Sequence, residues 1–174
     1  MKILIVLVLL LFFAAIWDFY QGKIPNILIV AGGCYGLIRL FLYQDMMVHV
    51  PGIIFPIVVL FPIYKIGVIG AGDIKLFSLL GFYFTFMETI FCIFTAFVIG
   101  AVISAISFIR YDNFVERMTY LFSYLKESLT LGYFRYYYLD SEGKHISNIK
   151  ENQSKIHFAI PIFISVLFRI GGIL

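Results

Sequence analysis

Two aspartates lie at the edges of apolar segments, in surroundings that suit chemistry on a peptide bond. Asp18 ends the first apolar run, and Asp73 follows Gly70-Ala71-Gly72 shortly before another. Two carboxylates that come close cannot both ionise easily, so one pKa of such a pair rises and the two share a proton. The ionised member can take a proton from an attacking water while the protonated member donates to a carbonyl oxygen. The pair could therefore hydrolyse an amide without a metal.

The neighbours of both aspartates fit a cleft. Gly70 and Gly72 have no Cβ, which predicts that another backbone can approach them closely. Asp73 opens a helix, whose dipole favours the anionic carboxylate, and Lys75 is a boundary lysine near enough to influence it. After Asp18 comes Ile24-Pro25-Asn26, in which the proline suits a first helical turn and the asparagine could cap that helix or bond the connecting loop.

Other reactive side chains are few. Cys34 and Cys92 are far apart in apolar runs, and no CxxC or Cys/His cluster is present, so we predict neither a metal site nor a cofactor. The sequence contains no GxSxG or HExxH motif. Of the histidines, His49 and His145 are interpreted as loop residues, whereas His157, at the inner mouth of the last apolar run, is a weaker site candidate.

The composition predicts that lipid is the solvent for most of the chain. The 174 residues are 62% hydrophobic and 13% charged, with a mean hydropathy of +1.00. Soluble domains are about 45–50% apolar and about 25% charged. The length suits a single domain over residues 1–174. A net charge of +3 is too small to indicate nucleic-acid binding.

The apolar runs must place the two aspartates relative to the membrane. The fourth of five runs would form a helix of roughly 50 Å, longer than a hydrocarbon core of about 30 Å. We therefore split it at Glu88, which we expect in an outer turn, and predict an all-α fold with six transmembrane helices. The first run is expected to be a retained span, because no small-x-small cleavage site follows it. The five runs are Ile3 to Trp17, Ile27 to Tyr43, Ile53 to Ile69, Leu76 to Ile109, and Phe158 to the C-terminus.

The basic residues predict the orientation. With six spans and the N-terminus outside, ten Lys and Arg residues lie on the inner side and three on the outer side. Asp18 and Asp73 then share the cytoplasmic face. The cytoplasmic loop 110–157 carries apolar residues at helical spacing from Phe114 to Leu129, which indicates an amphipathic helix in the membrane interface.

The two motifs resemble those of a known family. Asp18 followed six residues later by Ile24-Pro25-Asn26, and the GxGDxK motif from Gly70 to Lys75, are similar to the two motifs of type IV prepilin peptidases, which are GxGD intramembrane aspartic proteases. Pro161 in the last span resembles a recurring proline more weakly. The short chain is similar to the stand-alone form that serves tight-adherence (Flp) pili, or to archaeal preflagellin peptidases, and its compact length and intact Ile24-Pro25-Asn26 motif favour the former.

The resemblance implies an aspartic endopeptidase with Asp18 and Asp73 as its catalytic pair, and with the other motif residues shaping the site. Such enzymes remove the leader peptide of prepilins or pseudopilins at the cytoplasmic face of the inner membrane, without a cofactor. Long members carry a segment with paired cysteines linked to N-methylation. This chain begins with an apolar run and lacks those cysteines, so the resemblance does not extend to methyltransferase activity.

Three alternatives are less consistent with the sequence. Presenilin-type proteases pair a Tyr-Asp motif with the second aspartate and have more spans, whereas Trp17 precedes Asp18 here. A small ion-coupled transporter would have charges near the midplane and inverted repeats, and neither is found. A non-enzymatic assembly factor of a pilus or secretion machine is distinguished only by mutating the aspartates.

Overall fold

The computed structural model describes residues 2–43, 46–65, 69–110 and 157–172 of the chain. These residues form helices joined by short turns. The predicted interfacial helix at 114–129, the rest of the cytoplasmic loop up to residue 156, and His145 lie outside the described residues. The helices are α1 (Lys2–Gln21), α2 (Asn26–Tyr43), α3 (Met46–Lys65), α4 (Ala71–Leu80), α5 (Phe86–Arg110) and α6 (Ala159–Ile170).

Four of these helices, α1, α2, α3 and α5, are long and apolar enough to cross a membrane. The predicted number of six transmembrane helices is therefore supported only in part. Helix α4 has 10 residues and α6 has 12. At 1.5 Å per residue they are roughly 15 and 18 Å long, which is shorter than the ~30 Å hydrocarbon core.

Helix α4 is the centre of the bundle. Seven of its ten residues are buried, from Asp73 and Ile74 through the run Leu76–Leu80. The longer helices bury only 17–28% of their spanning residues and expose large apolar side chains such as Phe41 and Phe94. A bundle in lipid can leave such side chains on its outer surface, because the hydrocarbon replaces water there. The short helix is thus shielded by the long ones.

The long fourth apolar run breaks earlier than predicted. The turn between α4 and α5 spans residues 81–85, and Glu88 lies inside the first turn of α5 rather than in the break. Its carboxylate accepts hydrogen bonds from the backbone N–H and the hydroxyl of Thr85, each 2.9 Å long. This is the reach-back half of a capping box, which starts a helix at the residue after Thr85. Glu88 also pairs with Arg169 of α6 at 2.5 Å.

Polar side chains satisfy the backbone of this turn. Arg39 of α2 donates to the carbonyl oxygens of Phe82 and Tyr83, at 3.1 and 3.4 Å. The Nδ1 atom of His49 lies 2.9 Å from the carbonyl oxygen of Phe84. Unpaired carbonyls are costly away from water, so these contacts stabilise the end of the short helix.

The placement of His49 corrects a prediction. It is a buried residue of α3 rather than a loop residue, and α3 begins at Met46, seven residues before the predicted apolar run. Its hydrogen bond to the α4–α5 turn provides the partner that a polar ring needs inside a bundle. A prediction based on hydropathy takes no account of hydrogen-bond partners from other helices. It therefore placed the start of α3 too late in the sequence.

Candidate active site

Asp18 lies in the last turn of α1, three residues before the helix ends at Gln21. The helix therefore continues past the predicted boundary. The residue that follows the helix is Gly22, whose φ is 63° and whose N–H donates to the Asp18 carbonyl at 2.7 Å. A glycine in this left-handed conformation is a common helix terminator. The Asp18 side chain is buried although it lies at a helix end, with only 7% of the residue exposed.

Asp73 is fixed by the first turn of α4. Its Oδ2 atom accepts a hydrogen bond from the N–H of Gly70 at 3.2 Å, so the side chain reaches back over the helix start. Gly70 has an extended backbone, which lets its N–H point towards that carboxylate. Asp73 is 9% exposed, and is therefore nearly as buried as Asp18. The GxGD spacing thus orients the carboxylate locally.

The fold brings the two aspartates together. The end of α1 and the beginning of α4 lie at the same end of the bundle, and the charge of Asp18 acts on Asp73 directly. In a poorly hydrated setting, repulsion between two carboxylates is stronger than in water. Two carboxylates placed in this way can share one proton, an arrangement that offers an acidic and a basic group at the same place.

The rest of the two motifs also meets. Lys75 Nζ donates to Asn26 Oδ1 at 2.8 Å, which links α4 to the first residue of α2. A Cβ added to Gly72 would lie 3.1 Å from the Ile24 side chain, so these two residues are in tight contact. Pro25 directly precedes α2 and accepts a hydrogen bond from the N–H of Leu28 at 3.2 Å.

Two details of the prediction change. Gly72 is packed against the side chain of Ile24, and the nearest atoms to a Cβ on Gly70 belong to the carboxylate of Asp73. The glycines therefore make room for side chains rather than for another backbone. Asn26 was predicted to cap α2 or bond the loop, but its side-chain oxygen accepts from Lys75.

His157 is closer to the pair than its weak sequence signal indicated. Its Nδ1 atom lies 3.7 Å from Asp18 Oδ2, and its ring is 5.5 Å from that of Phe19. His157 stands two residues before α6, more than 130 residues after Asp18, so no local motif joins them. The sequence feature that pointed to His157 was its position at the inner end of the last apolar run. The predicted membrane orientation places both aspartates on the same face.

A family model of the type IV leader peptidase family matches residues 5–105, which is more than half of the chain. The chain belongs to the type IV leader peptidase family. No match to the chain was found among curated proteins or among solved structures.

Membership gives the chain the general function of a leader peptidase in a membrane. The matched region contains both aspartates and the residues around them, from the end of α1 to the first turn of α4. His157 and α6 lie beyond it. The contact between His157 and Asp18 therefore joins a residue outside the matched segment to one inside it.

Proposed function

We propose that this leader peptidase is an intramembrane aspartic endopeptidase with Asp18 and Asp73 as its catalytic pair. It removes the leader peptide of a prepilin or pseudopilin, of the type IV or Flp kind, at the cytoplasmic face of the inner membrane. The whole chain, 1–174, acts as one membrane domain. Its partners are the substrate and the lipid bilayer, and nucleic acid has no part in the reaction.

One observation carries the proposal. Two buried carboxylates from segments more than 50 residues apart lie at one end of the bundle and interact electrostatically. An acidic side chain at a helix end normally lies in water, since exposing its charge costs little there. Burying two of them together costs stability, and perturbed groups of this kind cluster at functional sites.

In this mechanism the pair works without a metal. The ionised carboxylate takes a proton from a water as it attacks the scissile carbonyl, and the protonated carboxyl donates to the carbonyl oxygen. The N–H of Gly70 restrains the Asp73 carboxylate. The Lys75–Asn26 hydrogen bond and the Gly72–Ile24 contact hold the beginning of α2 against that of α4. Gly70, Gly72, Lys75, Ile24 and Asn26, together with Pro25, shape the site and do not react.

We further propose that the chain crosses the membrane six times, with both termini outside and the aspartate pair at the cytoplasmic face. The two short helices would be the fourth and sixth crossings, each continued by its flanking turn. Fluorescent protein fused to the C-terminus, which does not mature when exported, is expected to stay dark. A bright, full-length fusion in the membrane would contradict this orientation.

The catalytic assignment is tested by co-expressing the protein with a candidate prepilin from the same genome and following leader removal on a gel. Asp18→Asn and Asp73→Asn are each expected to abolish cleavage while still inserting into the membrane, because one remaining carboxyl cannot act as acid and base in the same step. Glu88→Gln is the matched control, since it neutralises a partly buried carboxylate at the other end of the bundle. It is expected to cut.

The outcomes separate the hypotheses. Cleavage by either aspartate variant at the wild-type level would refute the mechanism and make that residue a boundary aspartate. Equal loss in all three variants would indicate that any lost carboxylate damages the fold. If the wild type cuts no member of a panel of prepilins and pseudopilins, the peptidase assignment is wrong for this chain, and an assembly role would replace it.

A further inference from the structure

We propose that His157 is a positioning residue, which holds the Asp18 carboxylate in place and keeps it as the ionised member of the pair. Its imidazole Nδ1 is 3.7 Å from Asp18 Oδ2. An opposite charge within about 4–6 Å favours the charged form of a carboxylate. The kinetic consequence rests on the proposed function, but the electrostatic contact does not.

The position of His157 is set by the residue that follows it. The ring of Phe158 packs 5.3 Å from that of Phe97 on α5 and 6.1 Å from that of Phe77 on α4. A Cβ on Gly100 would come within 2.8 Å of the Phe158 ring, so the ring occupies the space that a side chain would fill. These contacts, which we call the Phe158 seat, fix the start of α6 and bring the imidazole of His157 to Asp18.

Few other groups compete for this histidine. Among the described residues, the titratable group in contact with it is Asp18 on α1, which in turn interacts with Asp73 on α4. Tyr20 on α1 is 80% exposed. Lys75 on α4 is hydrogen-bonded to α2. The part of α5 around the Phe158 seat has no ionisable side chain between Cys92 and Arg110, and α6 has none before Arg169.

The two aspartates are thus held by different partners. Asp18 faces an imidazole that can carry a positive charge, whereas the partner of Asp73 is a neutral backbone N–H. A cation stabilises an anion more strongly than a neutral donor does, and more strongly than the roughly half charge that the dipole of α4 places near Asp73. The shared proton is therefore biased towards Asp73, which makes Asp18 the base that activates water and Asp73 the acid that protonates the carbonyl oxygen.

The first test does not depend on activity. In protein carrying Asp73→Asn, the infrared carboxyl absorption of Asp18 is followed against pH, with the Asp18→Asn, Asp73→Asn double variant as the blank. At the acid pH where aspartates titrate, an imidazole carries its proton. Adding His157→Gln removes that charge and is expected to move the Asp18 midpoint upward by up to about one pH unit. An unmoved midpoint would overturn the proposal.

The second test measures kcat and KM for prepilin cleavage. A shift of about one pH unit corresponds to a free-energy difference of about 1.4 kcal/mol, which is a factor of roughly ten in rate. His157→Gln and His157→Phe are therefore expected to lower kcat roughly tenfold, with KM little changed. His157→Lys, which keeps a cation, should retain most of the activity. Equal loss in all three variants would indicate a packing role and overturn the proposal, as would no loss in any. An infrared shift with a wild type that cuts nothing would refute the proposed function alone.

Discussion

The contact between Gly72 and Ile24 offers a quantitative test of the site, because a single methyl group should disturb the geometry while leaving the fold intact. A Cβ at Gly72 would lie 3.1 Å from Ile24 Cδ1 and 3.3 Å from its Cβ. Carbon atoms prefer separations of about 3.5–4.0 Å, so Gly72→Ala must move Ile24 by roughly half an ångström. That movement separates the start of α2 from the start of α4, where the two motifs meet.

The expected loss of activity follows from this shift. Since a misplacement of about 1 Å can cost roughly 10²-fold in rate, a shift of about half that size predicts a loss of roughly tenfold in kcat/KM. Stability should change little. Crowding costs about 1 kcal/mol, and replacing a helical glycine by alanine recovers about 0.5–1 kcal/mol. The Gly72→Ala variant should therefore insert into the membrane and fold normally, but cleave its substrate slowly.

The assay compares leader cleavage and thermal unfolding in detergent for Gly72→Ala and for Gly33→Ala. The second variant is the matched control, since a Cβ at Gly33 meets no atom within 4 Å. It should cut at the wild-type rate. Adding Ile24→Val to Gly72→Ala removes the nearest atom and should restore part of the rate. Wild-type activity in Gly72→Ala, or no recovery in the double variant, would refute the reasoning.

Four further predictions address the rest of the bundle. Gly81→Ala should lower the free energy of unfolding by about 1–3 kcal/mol, because its Cβ would meet helix backbone at 2.3 Å; an unchanged melting temperature in detergent would contradict this. Lys75→Met and Asn26→Ala should lose kcat/KM non-additively, since each removes the same hydrogen bond; additive losses would show that the bond does not matter. His49→Phe should cost about 1–3 kcal/mol of stability by leaving a buried carbonyl unpaired, with normal cleavage per folded molecule; unchanged thermal stability would count against that bond. Chelators should leave cleavage unaffected because the carboxylates activate water themselves, and inhibition reversed by zinc would contradict the aspartic mechanism.

Some helix boundaries could have been predicted from the sequence if helix-capping patterns had been considered together with hydropathy. Thr85-Phe86-Met87-Glu88 has the spacing of a capping box, which predicts a helix start after Thr85. Hydropathy alone placed the break at Glu88, because it treats a charge as a boundary and ignores its hydrogen bonds. His49 was misplaced for the same reason, since a polar residue enters a helix in a membrane protein when a partner is supplied from elsewhere.

By itself, the sequence determined the membrane environment, the apolar segments and the candidate residues of the site. Composition and motif spacing are local properties, so they can be read along the chain. The tertiary structure alone decided that the short helix α4 is buried at the centre of the bundle, that Lys75 bonds Asn26, and that His157 approaches Asp18. These contacts join residues 49 or more positions apart. They depend on how the helices pack, which no periodicity within one segment specifies.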